Sequence, residues 1–350
     1  MNKSNSEYKI QDDIDLLNLI IKDSTDPREH YNPGPYWKDK TKTALKDLKK
    51  FGLENFRGSE NMIGMSFADN VILDATLAYT GFKKIIANFI KIFPLKYIFQ
   101  SQIRITRQMF ENYLISTRDY FNGSDRVKYL LSKYKIPFSI LGNCIAKVKI
   151  NNEEIAIHYL NLLEQHDNVS KSINFKSIKS VFEIGGGFGC NVHLLLSNYP
   201  NIKKVIYLDI APNLYVGTQY LKSFYGESVI DYSKSKDLKE IKFKNNEQLE
   251  IYCILPAQIE ILNTEIDFFT NSHSFVEMPS FIVKNYIQKL QGLPSANKTK
   301  IAIISYDSFD LNSTLHPDSV SELFEKVKFS KRIEKYLLDN LRNNYYYISD

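Results

Sequence analysis

The sequence predicts an α/β protein, with a mostly parallel, doubly wound sheet in its C-terminal part and a mainly helical N-terminal part. Three observations carry this. From Ser180 onward, short continuous apolar runs alternate with helical patterns, which is how strands buried on both faces of a parallel sheet read. One such run, Val181 to Ile184, passes directly through Gly185, Gly186, Gly187 and Gly189 into a helical stretch. Before about residue 135, apolar residues recur at helical spacing, in segments parted by Asn32-Pro33-Gly34-Pro35 and Asn122-Gly123.

Taken in order, the N-terminal part reads as helices over Asp12 to Lys22, Tyr36 to Lys50, about Met62 to Tyr79, Phe82 to Phe93 and Thr106 to Phe121. The most apolar window, Tyr79 to Phe99, is broken by Lys83, Lys84, Lys91 and Lys96, whereas a membrane span needs about 20 nearly uncharged residues. Phe82, Ile85, Ile86, Phe89, Ile90 and Phe93 suit an amphipathic helix packed on a core. The alternative use of that helix is a basic face in peripheral contact with a membrane or a lipid-linked acceptor. Lys147 to Ile150 alternates as a strand before the Asn151-Asn152 turn signal, and a domain boundary is expected there. Residues 1–150 form the helical part and residues 151–350 the α/β part.

The second part opens with a polar helical run, Ile157 to Val169. Strands follow at Val181–Ile184, Val205–Ile210, Leu249–Leu255, Ile266–Thr270 and Ile301–Tyr306, with helices at Cys190–Ser197 and Leu214–Phe224. Beyond Tyr306 the pattern gives one helix, Ser319 to Leu341, and one strand, Tyr345 to Ser349.

Composition excludes several classes. With 350 residues, 43% hydrophobic and 24% charged, the chain is neither disordered nor a disulfide-stapled miniprotein. Its 45 basic and 40 acidic residues leave +5, dispersed along the chain, so no nucleic-acid partner is expected. Cys144, Cys190 and Cys253 form no C-x-x-C pair and read as reduced, buried thiols of a cytoplasmic protein. The opening stretch Met1 to Ile20 lacks the pattern of a signal peptide. Nothing sets an oligomeric state, and a homo-oligomer stays open.

The chemistry concentrates at strand ends, where ligands of doubly wound sheets bind. Glycines after Ile184 let the backbone turn tightly and approach a ligand, while the following helix N-terminus offers free N–H donors. A dinucleotide fingerprint, G-x-G-x-x-G counted from Gly185, would need glycine where Cys190 stands; the pattern present is E-x-G-x-G-x-G from Glu183 to Gly189. That pattern resembles motif I of the class I S-adenosylmethionine-dependent methyltransferases. The resemblance implies a Rossmann-like methyltransferase domain, S-adenosylmethionine as cofactor, and Glu183, Gly185, Gly186, Gly187 and Gly189 around its methionine part. A nicotinamide or flavin enzyme, or a purely structural glycine turn, remain the alternatives. Asp209 ends the second strand about 20 residues after the glycines, where a carboxylate can accept both ribose hydroxyls, and Ile210 follows it. Ala257 and Gln258, after the third strand, fall where this class contacts adenine; a simple strand-to-helix turn is the alternative.

The fourth strand runs into Thr270-Asn271-Ser272-His273-Ser274-Phe275-Val276-Glu277-Met278. This end must face the transferable methyl group, with Asn271 as a further cofactor contact. Enzymes that methylate amino groups of nucleic acids carry Pro-Pro and an aromatic residue here, which this chain lacks. A hydroxyl acceptor needs a base, and His273, with an ordinary pKa near 6.5, is the candidate. Glu277, a helical turn away, is the candidate to orient His273 or to accept a sugar hydroxyl. Asp267, Asn271, His273 and Glu277 supply ligand types for a divalent metal, but no spacing demands one. His30 precedes an aromatic loop that could line an acceptor, whereas His158, His166, His193 and His316 read as helix surface or loop.

Together, Trp37, the segment Phe51 to Gly58, the glycine motif and Asn271 to Met278 look like the sugar O-methyltransferases of bacterial surface-polysaccharide gene clusters. The resemblance implies methyl transfer to a hydroxyl of a nucleotide- or lipid-linked sugar bound for a capsule or lipopolysaccharide. Residues 1–150 would then cap the acceptor, with Tyr31, Trp37 and Arg57 as its contacts, Arg57 because a buried charge there needs a partner. Two other readings stay open: methylation of a phosphate or phosphoramidate, which would raise the weight of Arg57, and a noncatalytic S-adenosylmethionine-binding protein. A full class I sheet adds two antiparallel strands after the fifth, and only one is legible; either the other hides in Phe309 to Leu315 or the sheet is shortened.

Overall fold

The computed structural model describes residues 8–57, 121–144, 146–306, 315–325, 327–337 and 339–350. The helices expected over 62–79, Phe82–Phe93 and 106–120, the basic window Tyr79–Phe99 and the stretch 309–314 lie outside them.

The helix α1 (Ile14–Asp23) is capped by Asp13, whose carboxylate accepts from the Leu16 N–H at 2.9 Å. The helix α2 (Pro35–Phe51) begins with proline in its first turn and stops at Gly52, whose φ of +79° only glycine adopts without strain. After α3 (Asp125–Lys133), a hairpin of β1 (Lys147–Ile150) and β2 (Glu153–Ala156) leads into α4 (Ile157–Ser170). The expected boundary at residue 150 falls inside this hairpin. The helix α4 is buried on nearly every side, so its polar run is core: Asn161, Gln165, His166, Asp167 and Asn168 are all buried. His166 and His193 are thus not surface residues. Distant aromatic partners enclose them, Tyr199 on His166 and Phe224 stacked at 3.8 Å on His193.

The eight-stranded sheet has the order β5-β6-β4-β3-β7-β8-β10-β9. Its strands are β3 (Ser180–Ile184), β4 (Lys204–Leu208), β5 (Val229–Ile230), β6 (Glu250–Ile254), β7 (Phe268–Ser272), β8 (Lys300–Tyr306), β9 (Phe329–Tyr336) and β10 (Asp339–Ser349). Strands β3, β4 and β6 are buried at every position, as their continuous apolar runs predicted. The register sets Ile184 beside Leu208, Leu208 beside Ile254 and Glu183 beside Thr270, so the carboxyl ends of four strands form one rim. The helices α5 (Cys190–Asn198), α6 (Asn213–Tyr225), α7 (Tyr232–Ser235) and α8 (Ser280–Gln291) complete the Rossmann-like winding. The chain winds from β3 outward through β4 to the edge strand β5, comes back as β6 between those two, then crosses to the other side of β3 as β7; the crevice of that switch lies at the glycine loop.

The C-terminus corrects the expectation. Ser319 to Leu341 is not one helix: α9 (Pro317–Glu322) is short, and β9 and β10 form an antiparallel pair, β10 also running antiparallel to β8. The sheet therefore has both antiparallel strands. On the exposed face of β9, Lys331 and Lys335 flank Ile333; charges there suit an edge strand, and their four-residue spacing disguised it as a helix surface. Cys144, Cys190 and Cys253 are all buried, as expected. Among the described residues no helix is long and apolar enough to cross a membrane.

Candidate active site

The glycine loop is held from beneath. Gly185, Gly187 and Gly189 have φ of +71°, +65° and +80°, and the half-buried Gly185 to Gly187 leave the loop's outer face open. The Gly187 N–H donates to Asp209 Oδ2 at 2.9 Å, and the Tyr207 hydroxyl to the Gly187 carbonyl at 2.5 Å. Asp209 also accepts from the Ile210 N–H at 2.7 Å. Glu183 is buried under the loop: a Cβ on Gly186 would lie 2.5 Å from its Oε2. Its Oε1 accepts from Asn191 Nδ2 at 2.8 Å, while Oε2 is buried with no hydrogen-bond partner. Burial pushes the Glu183 carboxyl up to about 7 and that of Asp209 up to about 8. Ile210 and Ala257, both half-exposed, follow the paired strand ends beside them.

Those two raised carboxyls have a stability consequence. The native state holds protons on them that the unfolded chain, with carboxyls near 4, has released, so their contribution is lost as pH rises through about 7 to 8. His166 and His193, driven down to about 4 and about 3 by burial, act in the opposite sense only below about 6.5. Between pH 6.5 and 8.5 the urea midpoint of the ligand-free protein is expected to fall. In Glu183→Gln/Asp209→Asn it should stay nearly flat; equal slopes in both proteins would contradict the assignment.

Other expected contacts are spent internally. Gln258 Oε1 accepts from the Leu255 N–H at 3.0 Å and its Nε2 donates to the Ser235 carbonyl at 3.1 Å, so its amide closes the turn after β6 and does not reach outward. Asn271 is fully buried and latches β7 to β3: Nδ2 donates to the Ile184 carbonyl at 2.8 Å and to Ser274 Oγ at 2.6 Å, and Oδ1 accepts from the Phe275 N–H. It shapes the rim and is not a cofactor contact.

His273 stands at the carboxyl end of β7 with φ +70°, its N–H donating to the Ile304 carbonyl at 2.7 Å. Its Nε2 lies 3.0 Å from Asn344 Oδ1 and its ring meets Tyr306 edge-on at 5.3 Å. Among the described residues Asn344 on β10 holds His273, and Glu277, the expected partner, bonds elsewhere. No helical turn links the two, because a 3-10 turn, Phe275–Glu277, follows β7. Glu277 accepts from Trp37 Nε1 at 3.0 Å and from the Tyr306 hydroxyl at 2.7 Å. Burial raises its pKa, while Tyr306, Lys40, Trp37 and Tyr36 oppose the rise. Helix α2 reaches this point because Gly34 lies against Pro279; a Cβ there would meet Pro279 Cδ at 2.6 Å.

Tyr31 and Arg57 are elsewhere. Tyr31 is buried, its hydroxyl donates to Glu260, and Arg28 lies 4.5 Å over its ring. It anchors the N-terminal segment to the sheet's flank. The Arg57 guanidinium is 1% exposed, donates to the Ser139 carbonyl at 2.5 Å and the Leu141 carbonyl at 3.2 Å, and lies 4.8 Å over Phe188 of the glycine loop. These contacts make it a wall behind the loop, not a phosphate clamp. Asp267 sits at the opposite end of β7, accepting from the Lys179 and Ser180 N–H groups, so the four potential metal ligands are not gathered. Among the described residues no cluster of three or more His, Cys, Asp or Glu could hold a metal. Asn344, Tyr306 and Lys40 were missed; only Tyr306, last residue of a parallel strand, carried a legible signal.

No protein-family model matches the sequence, and no curated protein matches it. Among solved structures, the chain is similar to the pyocyanin biosynthetic protein PhzM at 12% identity, over 55% of this chain and 57% of that one, with a TM-score of 0.36. It is similar to the mitomycin 7-O-methyltransferase MmcR at 11% identity, over 80% of this chain and 74% of that one, TM-score 0.37. A third is magnesium protoporphyrin IX methyltransferase ChlM from Synechocystis PCC 6803 with bound SAM, at 12% identity, over 67% of this chain and 96% of that one, TM-score 0.34. The chain spans little more than half the length of PhzM. Sequence identities this low leave the chemistry of the site to this chain's own residues.

Proposed function

We propose that the protein is an S-adenosylmethionine-dependent O-methyltransferase whose acceptor is a hydroxyl of a nucleotide- or lipid-linked sugar, acting in the cytoplasm on the way to a capsule or lipopolysaccharide. The observation that carries the reading is Glu183 Oε2, buried without a hydrogen-bond partner beneath a half-open glycine loop that Asp209 brackets. An ammonium group offers the donor that oxygen lacks, and ribose hydroxyls suit Asp209. A pyrophosphate offers that oxygen no donor, which disfavours a dinucleotide. Glu183, Asp209, Ile210, Ala257 and the loop glycines would hold the cofactor. When bound, it supplies an electrophilic methyl group on a sulfonium.

The remaining work belongs to the chain. With Asn344 Oδ1 accepting from the Nε2–H of neutral His273, the basic nitrogen is Nδ1, which takes the acceptor's hydroxyl proton. Tyr36 and Trp37 of α2 bring rings to the same rim, apolar faces suited to a sugar. The sugar and its destination are supported by the resemblance of the Phe51 to Gly58 and Asn271 to Met278 segments.

The test is transfer of labelled methyl from S-adenosylmethionine to a panel of sugars and nucleotide sugars. His273→Ala is expected to lower kcat by about 10²- to 10⁴-fold while leaving S-adenosylhomocysteine affinity unchanged. Turnover within threefold of wild type would remove His273 from the proton path.

A further inference from the structure

Methyl transfer to a neutral hydroxyl does not by itself need what stands next to His273. At the first turn of α2, Tyr36 and Trp37 set their rings at 76° with centroids 5.7 Å apart, two walls of a corner. Glu277 closes a third side, held there by Trp37 Nε1 and the Tyr306 hydroxyl. Into this corner folds the ammonium of Lys40, 3.4 Å from the centroid of Tyr36 and 5.2 Å from that of Trp37.

A helix-surface lysine ordinarily carries its charge out to water. Lys40 instead gives up solvation, which lowers its pKa, and the Glu277 charge partly compensates it. Perpendicular aromatic faces with a carboxylate at one side are the arrangement that recognises alkylammonium groups. All four residues, Tyr36, Trp37, Lys40 and Glu277, are half-buried, so the corner remains reachable from the rim.

We propose that Tyr36, Trp37, Tyr306 and Glu277 form a subsite for an alkylammonium group of the acceptor, an amine-bearing sugar, and that Lys40 fills it until the acceptor displaces it. This rests on reading the rim as the acceptor site. The amine would be an anchor that places a hydroxyl near His273, and no bond to it is made or broken.

Trp37 is the only tryptophan of the chain, so intrinsic tryptophan emission reports the corner directly. The experiment titrates the full-length protein with glucosamine, glucose and N-acetylglucosamine, in wild type, Lys40→Gln, Lys40→Met and Glu277→Gln, with S-adenosylhomocysteine calorimetry on the same samples. Glucosamine alone is expected to change the emission saturably, about tenfold more tightly in both Lys40 variants and about tenfold more weakly in Glu277→Gln. An equal response to all three sugars, or no response to glucosamine in either Lys40 variant with its circular dichroism intact, overturns the proposal. If S-adenosylhomocysteine binds while glucosamine does not, the subsite fails and the methyltransferase reading stands; the reverse leaves an amine site and removes the methyltransferase reading.

Discussion

Gly185→Ala is expected to cost about 2–5 kcal/mol in urea unfolding, the sum of a left-handed backbone penalty of about 1–2 kcal/mol and an overpacking penalty of about 1–3 kcal/mol. Gly185 has φ +71°, and a Cβ there would lie 2.1 Å from Ser274 Oγ and 2.5 Å from Ser274 Cβ. Neither atom can yield cheaply, because Ser274 accepts from Asn271 Nδ2 at 2.6 Å, within the latch between β7 and β3. The two penalties separate in a double-mutant cycle. Ser274→Gly removes the colliding atoms, so Gly185→Ala/Ser274→Gly should be more stable than the sum of the single effects by about 1 kcal/mol or more. Additive effects would show that the close approach of loop and latch is not what excludes a side chain.

How far this was legible in the sequence depends on the range of the interaction. The passage from β3 through the glycines into α5 is local, and its apolar run and glycine spacing announced both the turn and its place in the sheet. Asp209 was legible for the same reason, since a strand end about 20 residues on must lie beside that loop. Asn271 to Glu277 stand at a strand end as expected, but the partners that hold them were not legible. The carboxylate of Glu277 is held by Trp37, 240 residues earlier, and His273 by Asn344, 71 residues later. Spacing within one segment cannot reveal partners of that kind.

Polar side chains raised a second difficulty, since the residue types that bind a cofactor are also those that close a turn. Asn271 and Gln258 had the right positions for ligand contact and use their amides on backbone groups instead. Arg57 was sound as a buried charge needing partners, yet those partners are carbonyls of Ser139 and Leu141, more than 80 residues away. The edge strand β9 escaped notice because Lys331 and Lys335, four residues apart, resemble the surface of an exposed helix.

Asp209→Ala carries the second large effect. The carboxylate joins two elements of the site, accepting from the Gly187 N–H of the loop and from the Ile210 N–H beyond β4. Its removal takes away the support of the loop and, on the proposed function, the acceptor for ribose hydroxyls. A loss of about tenfold or more in cofactor affinity is expected, equivalent to about 1.4 kcal/mol or more. Asp209→Asn, which keeps one acceptor oxygen at the same place, should lose less.

The central claim is that the glycine loop, Glu183 and Asp209 take S-adenosylmethionine and not a dinucleotide. Calorimetric titration of wild type and Asp209→Ala with S-adenosylhomocysteine, and separately with NADH, tests it most directly. The account predicts saturable binding of S-adenosylhomocysteine to wild type, weakened in Asp209→Ala, and none of NADH. Preference for NADH, or no binding of S-adenosylhomocysteine to the folded protein, would contradict it.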